Sequence, residues 1–374
     1  MVSTNANALG IIFPNCYDDL LPEMTSARTM ASVPFGSRYR MIDFVLSSMS
    51  NCGISNVSVL VKKNYHSLMD HLGAGREWDL SRKHGGLNIV PPFYEESVKV
   101  YGGRVEALAS IVNFLSIQKE KYVILSDANL AINMDFTDFI EKHVSSGADV
   151  TMYYQSIPIP ESIRNHNHTL KVEDGRVVEL LTNDNRPGIQ NLSLNIYIMD
   201  RETLIQMIRD ANIRNLTSFE RDILSRNLAL LNVQGLQYTG YVARICDMKS
   251  YYDENMKLLE PANVSALFGG KNTVYTKIRD DAPTRYAMDC HVKQSMVADG
   301  CIIEGEVENC VLFRGVRVKK GAKVRNCVLM QDTVVEEGAS VEYVVTDKRV
   351  RITADKKLSG TDTFPVYVAK AHTV

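Results

Sequence analysis

The sequence predicts an α/β fold in two parts, a Rossmann-like domain with a mostly parallel sheet followed by a parallel β-helix. Apolar runs of strand length alternate with segments of helical spacing over the first two thirds of the chain, which is typical of βαβ units. The composition changes beyond Leu259-Glu260-Pro261. Short apolar bursts with glycine at the corners then recur at about six-residue spacing, which is the pattern of hexapeptide turns.

The individual elements follow from the spacing of apolar residues. The runs predicted to form buried strands are Ala8–Phe13, Val57–Val61, Tyr122–Ser126, Val150–Gln155 and Ser193–Met199. The segments predicted to be helical are Ile42–Met49, Val105–Gln118 and Asp135–Val144. The stretch Gly73–Gly86 has weak periodicity, so we expect an excursion over the sheet edge there.

The C-terminal bursts predict one stacked apolar interior. They include Val297–Val307, Val311–Val324 and Val334–Val341. An ordinary antiparallel sheet with short strands is the alternative. We expect the α/β domain at residues 1–260, a linker at 261–285 and the β-helix at 286–374. The flat outer faces of such β-helices commonly serve in assembly, so the last segment is a predicted docking and oligomerisation domain.

Composition and charge exclude several classes of protein. A net charge of -2 over 374 residues gives no electrostatic case for nucleic acid or an anionic membrane as partner. No apolar run approaches the ~18 residues of a transmembrane helix, and the first residues lack the basic region of a secretion signal. Seven cysteines without a C-x-x-C pair predict free thiols in a reducing, cytoplasmic location.

The loop after the first strand is poorly suited to phosphate. Phosphate-binding loops need glycines, whose backbone N–H groups can approach the phosphates closely, and a positive field. The segment Pro14–Glu23 has no glycine, two prolines and three carboxylates. Like charges at ~4 Å repel by about 4 kcal/mol at an effective dielectric near 20, so this loop is predicted to reject a triphosphate.

The segments that follow are nevertheless those of a known family. Val33–Phe44, Leu46-Ser47 and Asn51–Ile54 closely resemble the signature PFGGKYRLIDFxLSNxxNSGI of bacterial glucose-1-phosphate adenylyltransferases, the ADP-glucose pyrophosphorylases. Those enzymes make ADP-glucose and pyrophosphate from ATP and glucose 1-phosphate. The resemblance covers nearly the whole chain but departs at the functional positions, and in this combination the chain looks like the divergent GlgD-type subunit. It implies a nucleotidyltransferase-like first domain and a left-handed β-helix.

The resemblance implies that the catalytic positions are degenerate. In the family a lysine supplies positive charge and two aspartates hold Mg²⁺, so that charge on the transferring group is neutralised. Met30 stands at the lysine, and Asn129 and Arg244 stand at the aspartates. We therefore expect no catalytic residues and no bound metal. Asp127 lies about one position from the motif, and a residual metal ligand there is the alternative.

The resemblance also implies a substrate-like pocket and an effector pocket. Gly103, Ser193 and Asn195 match positions around the sugar phosphate, although Asn195 replaces a glycine and the lysine motif of the family is absent. Arg28, Arg40 and Arg325 match arginines that face an effector pocket between the two domains in regulated relatives. Guanidinium groups suit a phosphorylated or otherwise anionic effector. Structural salt bridges with carboxylates are the alternative for these arginines.

Histidines and one thiol suggest weaker possibilities. His66, His71 and His84 with Asp70 suggest a metal site, but their spacing fits no tight ligand set, and packing or surface roles are favoured. Cys16 lies among acidic residues, which would raise the pKa of its thiol and oppose reactivity.

These observations favour a non-catalytic regulatory subunit. By resemblance its partner is a catalytic GlgC-type paralogue in a heterotetramer of glycogen biosynthesis, and self-association is possible. One alternative is an active nucleotidyltransferase that uses displaced ligands such as Asp127, Asp18 and Asp19. Others are an acyltransferase with His291 as the catalytic histidine of its hexapeptide repeats, and a scaffold that binds no ligand.

Overall fold

The computed structural model describes residues 7–92 and 102–374. The strands of the sheet domain are β1 (Ala8–Phe13), β2 (Pro34–Phe35), β3 (Tyr39–Arg40), β4 (Asn56–Leu60), β5 (Gly86–Val90), β6 (Tyr122–Asp127), β7 (Leu130–Ile132), β8 (Val150–Pro158), β9 (His168–Glu173), β10 (Arg176–Thr182), β11 (Ile189–Asp200), β12 (Val233–Gln237) and β13 (Val242–Arg244).

The helices of this domain lie between those strands. The α-helices are α1 (Pro22–Thr25), α2 (Met41–Asn51), α3 (His66–Leu72), α4 (Arg104–Ala109), α5 (Val112–Ser116), α6 (Phe136–Ser146), α7 (Arg201–Ile213), α8 (Met248–Lys257) and α9 (Pro261–Phe268). The 3₁₀ turns are Asp18–Leu20, Met30–Ser32, Arg76–Trp78 and Glu161–Ile163, and Phe219–Ser225 is a π-helix.

The main sheet has nine strands in the order β5-β4-β1-β6-β11-β8-β12-β10-β9. β10 and β11 run opposite to the other strands, so the sheet is mixed but mostly of one direction. β1 lies between β4 and β6, and its alternating side chains enter both cores: Leu9 and Ile11 pack on one face, and Ala8 and Ile12 pack on the other. Burying a side chain of this size stabilises the fold by about 1.5–3 kcal/mol.

The structure confirms the predicted α/β class and refines its helices. The predicted helix Val105–Gln118 is two helices, α4 and α5, which are separated at Ser110-Ile111. Asp135 is the N-cap of α6, because its side chain accepts a hydrogen bond from the Thr137 N–H at 2.8 Å. The weakly periodic stretch leads into β5 at the sheet edge and is held by the fully buried Trp78.

The C-terminal part is a left-handed parallel β-helix with three sheets of five strands. In chain order its strands are β14 (Arg285–Tyr286), β15 (His291–Lys293), β16 (Met296–Val297), β17 (Ile302–Ile303), β18 (Glu306–Glu308), β19 (Val311–Leu312), β20 (Arg317–Val318), β21 (Lys323–Arg325), β22 (Val328–Leu329), β23 (Val334–Val335), β24 (Ser340–Glu342), β25 (Val344–Thr346), β26 (Arg351–Ile352), β27 (Lys357–Ser359) and β28 (Val366–Val368). Cysteine and branched aliphatic side chains fill its interior.

The two parts share an apolar contact. Met30, Phe35 and Leu258 of the sheet domain belong to one buried cluster with Val328 and Met330 of the β-helix. The segment 261–285 is also fixed to the sheet domain: the side-chain amide of Asn133 donates to the carbonyl oxygens of Leu267 and Asn272 at 2.9 and 2.8 Å. Among the described residues, no helix is long and apolar enough to cross a membrane.

Candidate functional site

A polar cavity of about 570 Å³ opens beside the carboxyl ends of β1 and β6, the edge at which α/β sheets commonly bind ligands. We call it the sheet pocket. Its lining includes Cys16, Tyr17, Asp19, Gly103, Arg104, Asp127, His168, Asn195 and Glu220. The space for a ligand therefore remains, and the charges around it decide what can bind.

The loop after β1 satisfies its own polar groups. The Asp18 carboxylate accepts hydrogen bonds from the Met30 N–H and the Asn15 side-chain amide, both at 2.7 Å. The Asn15 side-chain oxygen accepts from the Lys62 N–H at 2.8 Å. Burial raises the pKa of Asp18 to about 6, against the effect of these hydrogen bonds. Asp18 therefore holds the loop together and does not line the sheet pocket, whereas Asp19 does.

Arg104 lines the sheet pocket and is paired with two acidic side chains. Its Nη2 lies 2.6 Å from Oδ1 of Asp127, and its Nη1 is paired with the carboxylate of Glu220. The side chains of Asp127 and Arg104 are 1% and 10% exposed, so this pairing is shielded from water. The second Asp127 oxygen accepts a hydrogen bond from the Asn195 side chain at 2.9 Å.

The surroundings of Arg104 keep it charged. Its guanidinium carbon lies 5.0 Å from the centroid of the Phe13 ring and 5.7 Å from that of Tyr197, within cation–π range. Burial opposes the charge, but Asp127 and the other neighbours outweigh it and raise the pKa of Arg104. Burial, together with the nearby Arg104, lowers the pKa of His168 to about 4.

The predicted substrate-like residues lie at this pocket in different ways. Gly103 and Asn195 line it, while Ser193 lies behind Asn195 and accepts the Asn195 N–H at 3.0 Å through its hydroxyl. Asn195 has φ of 54°, a left-handed conformation that asparagine tolerates better than most residues. Its amide donates to the Tyr17 hydroxyl at 2.7 Å, so the Tyr17 side chain is held inside the pocket.

The positions that correspond to metal ligands are bonded to the backbone. The Asn129 side-chain amide donates to the Ile245 carbonyl oxygen at 3.2 Å. Arg244 donates to the Ser193 carbonyl oxygen at 2.9 Å. Within residues 7–92 and 102–374, no group of three or more histidine, cysteine or acidic side chains could hold a metal ion. These residues do not fit Mg²⁺, because the available carboxylate of Asp127 already faces a cation.

A second cavity, of about 390 Å³, lies between the sheet domain and the β-helix. We call it the interdomain pocket. The basic residues of its lining are Arg38, Arg40, Lys277, Arg279, Arg314, Lys348 and Lys370, together with His66 and His71, and Asp70 is the carboxylate among the lining residues. Burial, reinforced by Arg40 and Arg28, lowers the pKa of Lys348 to about 7. An anion would relieve this repulsion between cations.

The three predicted effector arginines lie in three environments. Arg40 lines the interdomain pocket, where it donates to the Ser67 carbonyl oxygen at 2.6 Å. Arg28 is buried in a salt bridge with Asp347 at 2.8 Å, the structural arrangement given above as the alternative. The structure does not bring Arg325 to this pocket: it is exposed on β21, with Glu306 and Glu308 at 4.0 and 3.6 Å.

Sequence reasoning missed the basic residues that the β-helix contributes to the interdomain pocket, Arg314, Lys348 and Lys370. The available signal was weak, because each of these residues follows an apolar burst at a corner of the β-helix and resembles any surface cation.

The histidines that suggested a metal site in the sequence lie in different environments. His66 and His71 both line the interdomain pocket, and the ring of His71 is buried against Asp43 at 2.6 Å, whereas His84 is exposed. For Cys16, burial first and Asp127 second raise the thiol pKa.

A mixed α/β sheet with a polar pocket at its carboxyl edge, joined to a left-handed β-helix, defines the nucleotidyl transferase class with a hexapeptide domain. Two family models agree with this: nucleotidyl transferase matches residues 20–259, and the GlmU-like C-terminal hexapeptide matches residues 280–363.

Curated relatives define the branch. Glycogen biosynthesis protein GlgD of Bacillus subtilis (strain 168) is 35% identical over 98% of this chain and 96% of its own length. The GlgD protein of Geobacillus stearothermophilus is 34% identical over 86% of this chain and 83% of its own length. A glucose-1-phosphate adenylyltransferase of Thermosipho melanesiensis is 30% identical over 84% of this chain and 77% of its own length. The chain therefore belongs to the glucose-1-phosphate adenylyltransferase family, with the GlgD-type subunits.

Proposed function

We propose that this chain is a regulatory, non-catalytic subunit of ADP-glucose pyrophosphorylase that acts in the cytoplasm and modulates a catalytic GlgC-type paralogue. Its relatives support a role in glycogen biosynthesis. The observation that carries the non-catalytic part is the buried pair of Arg104 and Asp127 at 2.6 Å. Nucleotidyl transfer needs metal beside the transferring phosphoryl group, and here a guanidinium engages the carboxylate that could hold it.

The regulatory part of the proposal is supported by the interdomain pocket. A phosphorylated or otherwise anionic effector bound there would contact Arg40 of the sheet domain and Lys348 of the β-helix together. Such a ligand favours the arrangement in which both groups of cations face it. It therefore changes the relative stability of two domain arrangements, which is what an allosteric ligand must do.

The partner in this proposal is a catalytic paralogue in a heterotetramer, and self-association of the chain is a second possibility. A coupling of about 1–3 kcal/mol between subunits corresponds to a 5- to 150-fold change in an equilibrium. That range sets the size of the activation expected on mixing the two subunits.

The test is to purify this chain alone, the catalytic paralogue alone, and the two together. ADP-glucose synthesis from ATP and glucose 1-phosphate is then measured in each, with and without sulfate or sugar phosphates. We expect negligible turnover by this chain and a higher turnover by the mixture than by the paralogue alone. Turnover by the lone chain comparable with that of the mixture would remove the proposal.

A second candidate function is a weakly active nucleotidylyltransferase. The open cavity of about 570 Å³, with Asp19 and Asp127 in its lining, favours it. If the chain has this activity, the lone chain should release pyrophosphate in a magnesium-dependent reaction, and the variant Asp127→Asn should lose that reaction. The control Asp79→Asn changes an exposed carboxylate that is paired with Arg82 on the surface and should leave such activity unchanged.

A further inference from the structure

Two acidic side chains of the sheet pocket converge on one cation. Asp127 ends β6 and Glu220 lies in the π-helix, and both are paired with the guanidinium of Arg104. The exposed fraction of the side chain is 1% for Asp127, 7% for Glu220 and 10% for Arg104. Two carboxylates brought together in such a place need a cation, since like charges without one repel strongly where water is excluded.

We propose that Arg104 takes the place of a divalent cation: its side chain fills a latent metal site formed by Asp127 and Glu220 and closes that site to free metal. The latent site would take a hard divalent ion, Mg²⁺ or Mn²⁺, because its donors are carboxylate oxygens.

The neighbours of Arg104 favour a guanidinium over a free metal ion. Phe13 and Tyr197 present ring faces to it, and aromatic rings stabilise a weakly hydrated, planar cation. A divalent ion would need further oxygen ligands, and water could supply them only in the space that the Arg104 side chain now occupies. In this proposal the guanidinium of Arg104 supplies the positive charge that a bound metal ion would otherwise supply.

This exchange explains how the pocket can stay open in space and yet be unsuitable for a metal-bound triphosphate. The cavity still has Gly103 and Asn195 in its lining. A metal that entered it would be repelled by the positive charge of Arg104, which is paired with Asp127. The chain should therefore fold and keep its pocket with no requirement for divalent cations.

The experiment measures Mn²⁺ binding by the lone, full-length chain, using electron paramagnetic resonance and thermal denaturation without any nucleotide. The wild-type chain should bind no Mn²⁺ in this pocket. Arg104→Ala should gain one Mn²⁺, with a rise in melting temperature of about 2 °C when Mn²⁺ is tenfold above its Kd. The double variant Arg104→Ala with Asp127→Asn should lose this gain.

The matched control is Arg221→Ala, which removes an arginine from the rim of the same pocket whose partner is Asp222. It should gain no metal. A folded Arg104→Ala that binds no more Mn²⁺ than Arg221→Ala would overturn the proposal. If Arg104→Ala does not fold, the wild-type measurement still decides: Mn²⁺ binding by the wild-type chain that Asp127→Asn abolishes would overturn it. Because no partner or substrate is present, neither result depends on the proposed regulatory role.

Discussion

Nη2 of Arg28 lies 2.8 Å from both carboxylate oxygens of Asp347, and this contact joins the segment between α1 and the 3₁₀ turn Met30–Ser32 to the β-helix. Both side chains are almost fully buried, with 4% and 3% of their surface exposed. The Tyr367 hydroxyl donates a third hydrogen bond to the same carboxylate at 3.0 Å. Asp347 is followed directly by Lys348, which lines the interdomain pocket. The salt bridge therefore connects that pocket with the segment that carries Met30.

Asp347→Asn should strongly destabilise the contact between the domains, because it leaves Arg28 as a buried charge without its carboxylate. Breaking one partner of a buried pair costs about 3–5 kcal/mol. Urea denaturation followed by circular dichroism measures this, and the fluorescence of Trp78, the single tryptophan of the sequence, reports on the sheet domain separately. Asp79→Asn breaks an exposed pair with Arg82 and should cost about 1 kcal/mol or less. Equal costs for the two variants would contradict this prediction.

Met30→Lys, which restores the residue of the catalytic family, should destabilise this chain. Met30 is fully buried in the apolar cluster shared by the two domains, and a lysine there would be a buried, unpaired charge. The expected loss in the free energy of unfolding is about 3 kcal/mol or more. Met30→Leu conserves volume and should cost less than about 1.5 kcal/mol. If urea denaturation gives the two variants the same stability, residue 30 faces a solvated site.

Gly103→Ala should disturb the sheet pocket for a steric reason. A Cβ at Gly103 would lie 2.9 Å from the backbone carbonyl oxygen of Thr217, so the segment that precedes the π-helix would have to move. The neighbouring Gly102 offers a control, because its Cβ would meet only the end of the flexible Glu106 side chain, at 3.4 Å. We expect a loss of about 1–3 kcal/mol for Gly103→Ala and a smaller one for Gly102→Ala in the same denaturation assay. Similar losses would mean that the Thr217 segment yields easily.

The fold could be predicted because its signals are local in sequence. The run Ala8–Phe13 alternates between two buried faces, and the bursts of the β-helix repeat with their corners. The break between α4 and α5 could not be predicted, since Ser110 and Ile111 both fit a continuous helical pattern. The length and spacing of apolar runs therefore predict which helices and strands form, whereas tertiary packing decides where each of them ends.

The candidate site was only partly predictable, because its contacts join distant segments. The identities of Met30, Asn129 and Arg244 could be compared with the family motifs, but nothing in the sequence indicated that Arg104 reaches Asp127, 23 residues away. Arg325 illustrates the same difficulty. In a β-helix one face differs from the next by only a few residues, so a small error in register moves a side chain from a pocket to an exposed face.

Sulfate binding to the interdomain pocket should weaken as the pH rises, because Lys348 loses its charge. Its pKa of about 7 is below the ordinary lysine value, so about 90% of Lys348 is charged at pH 6 and about 10% at pH 8. Sulfate keeps its charge over this range, so any change in its affinity between the two pH values comes from titration of the protein, and a thermal-shift titration at both pH values measures it.

His66 and His71 also face the pocket, and the variant Lys348→Met separates their contribution to the pH dependence from that of Lys348. We expect Lys348→Met to bind sulfate more weakly at pH 6 and to show a smaller pH dependence, whereas Lys320→Met, at an exposed position of the β-helix, should behave as wild type. The depressed pKa also affects folding: between about pH 7 and 10 the unfolded chain binds more protons at this lysine, so its unfavourable contribution is complete below pH 7 and disappears as the pH rises through that window. Sulfate affinity that is unchanged between pH 6 and 8 in the wild-type chain would exclude Lys348 from the anion site.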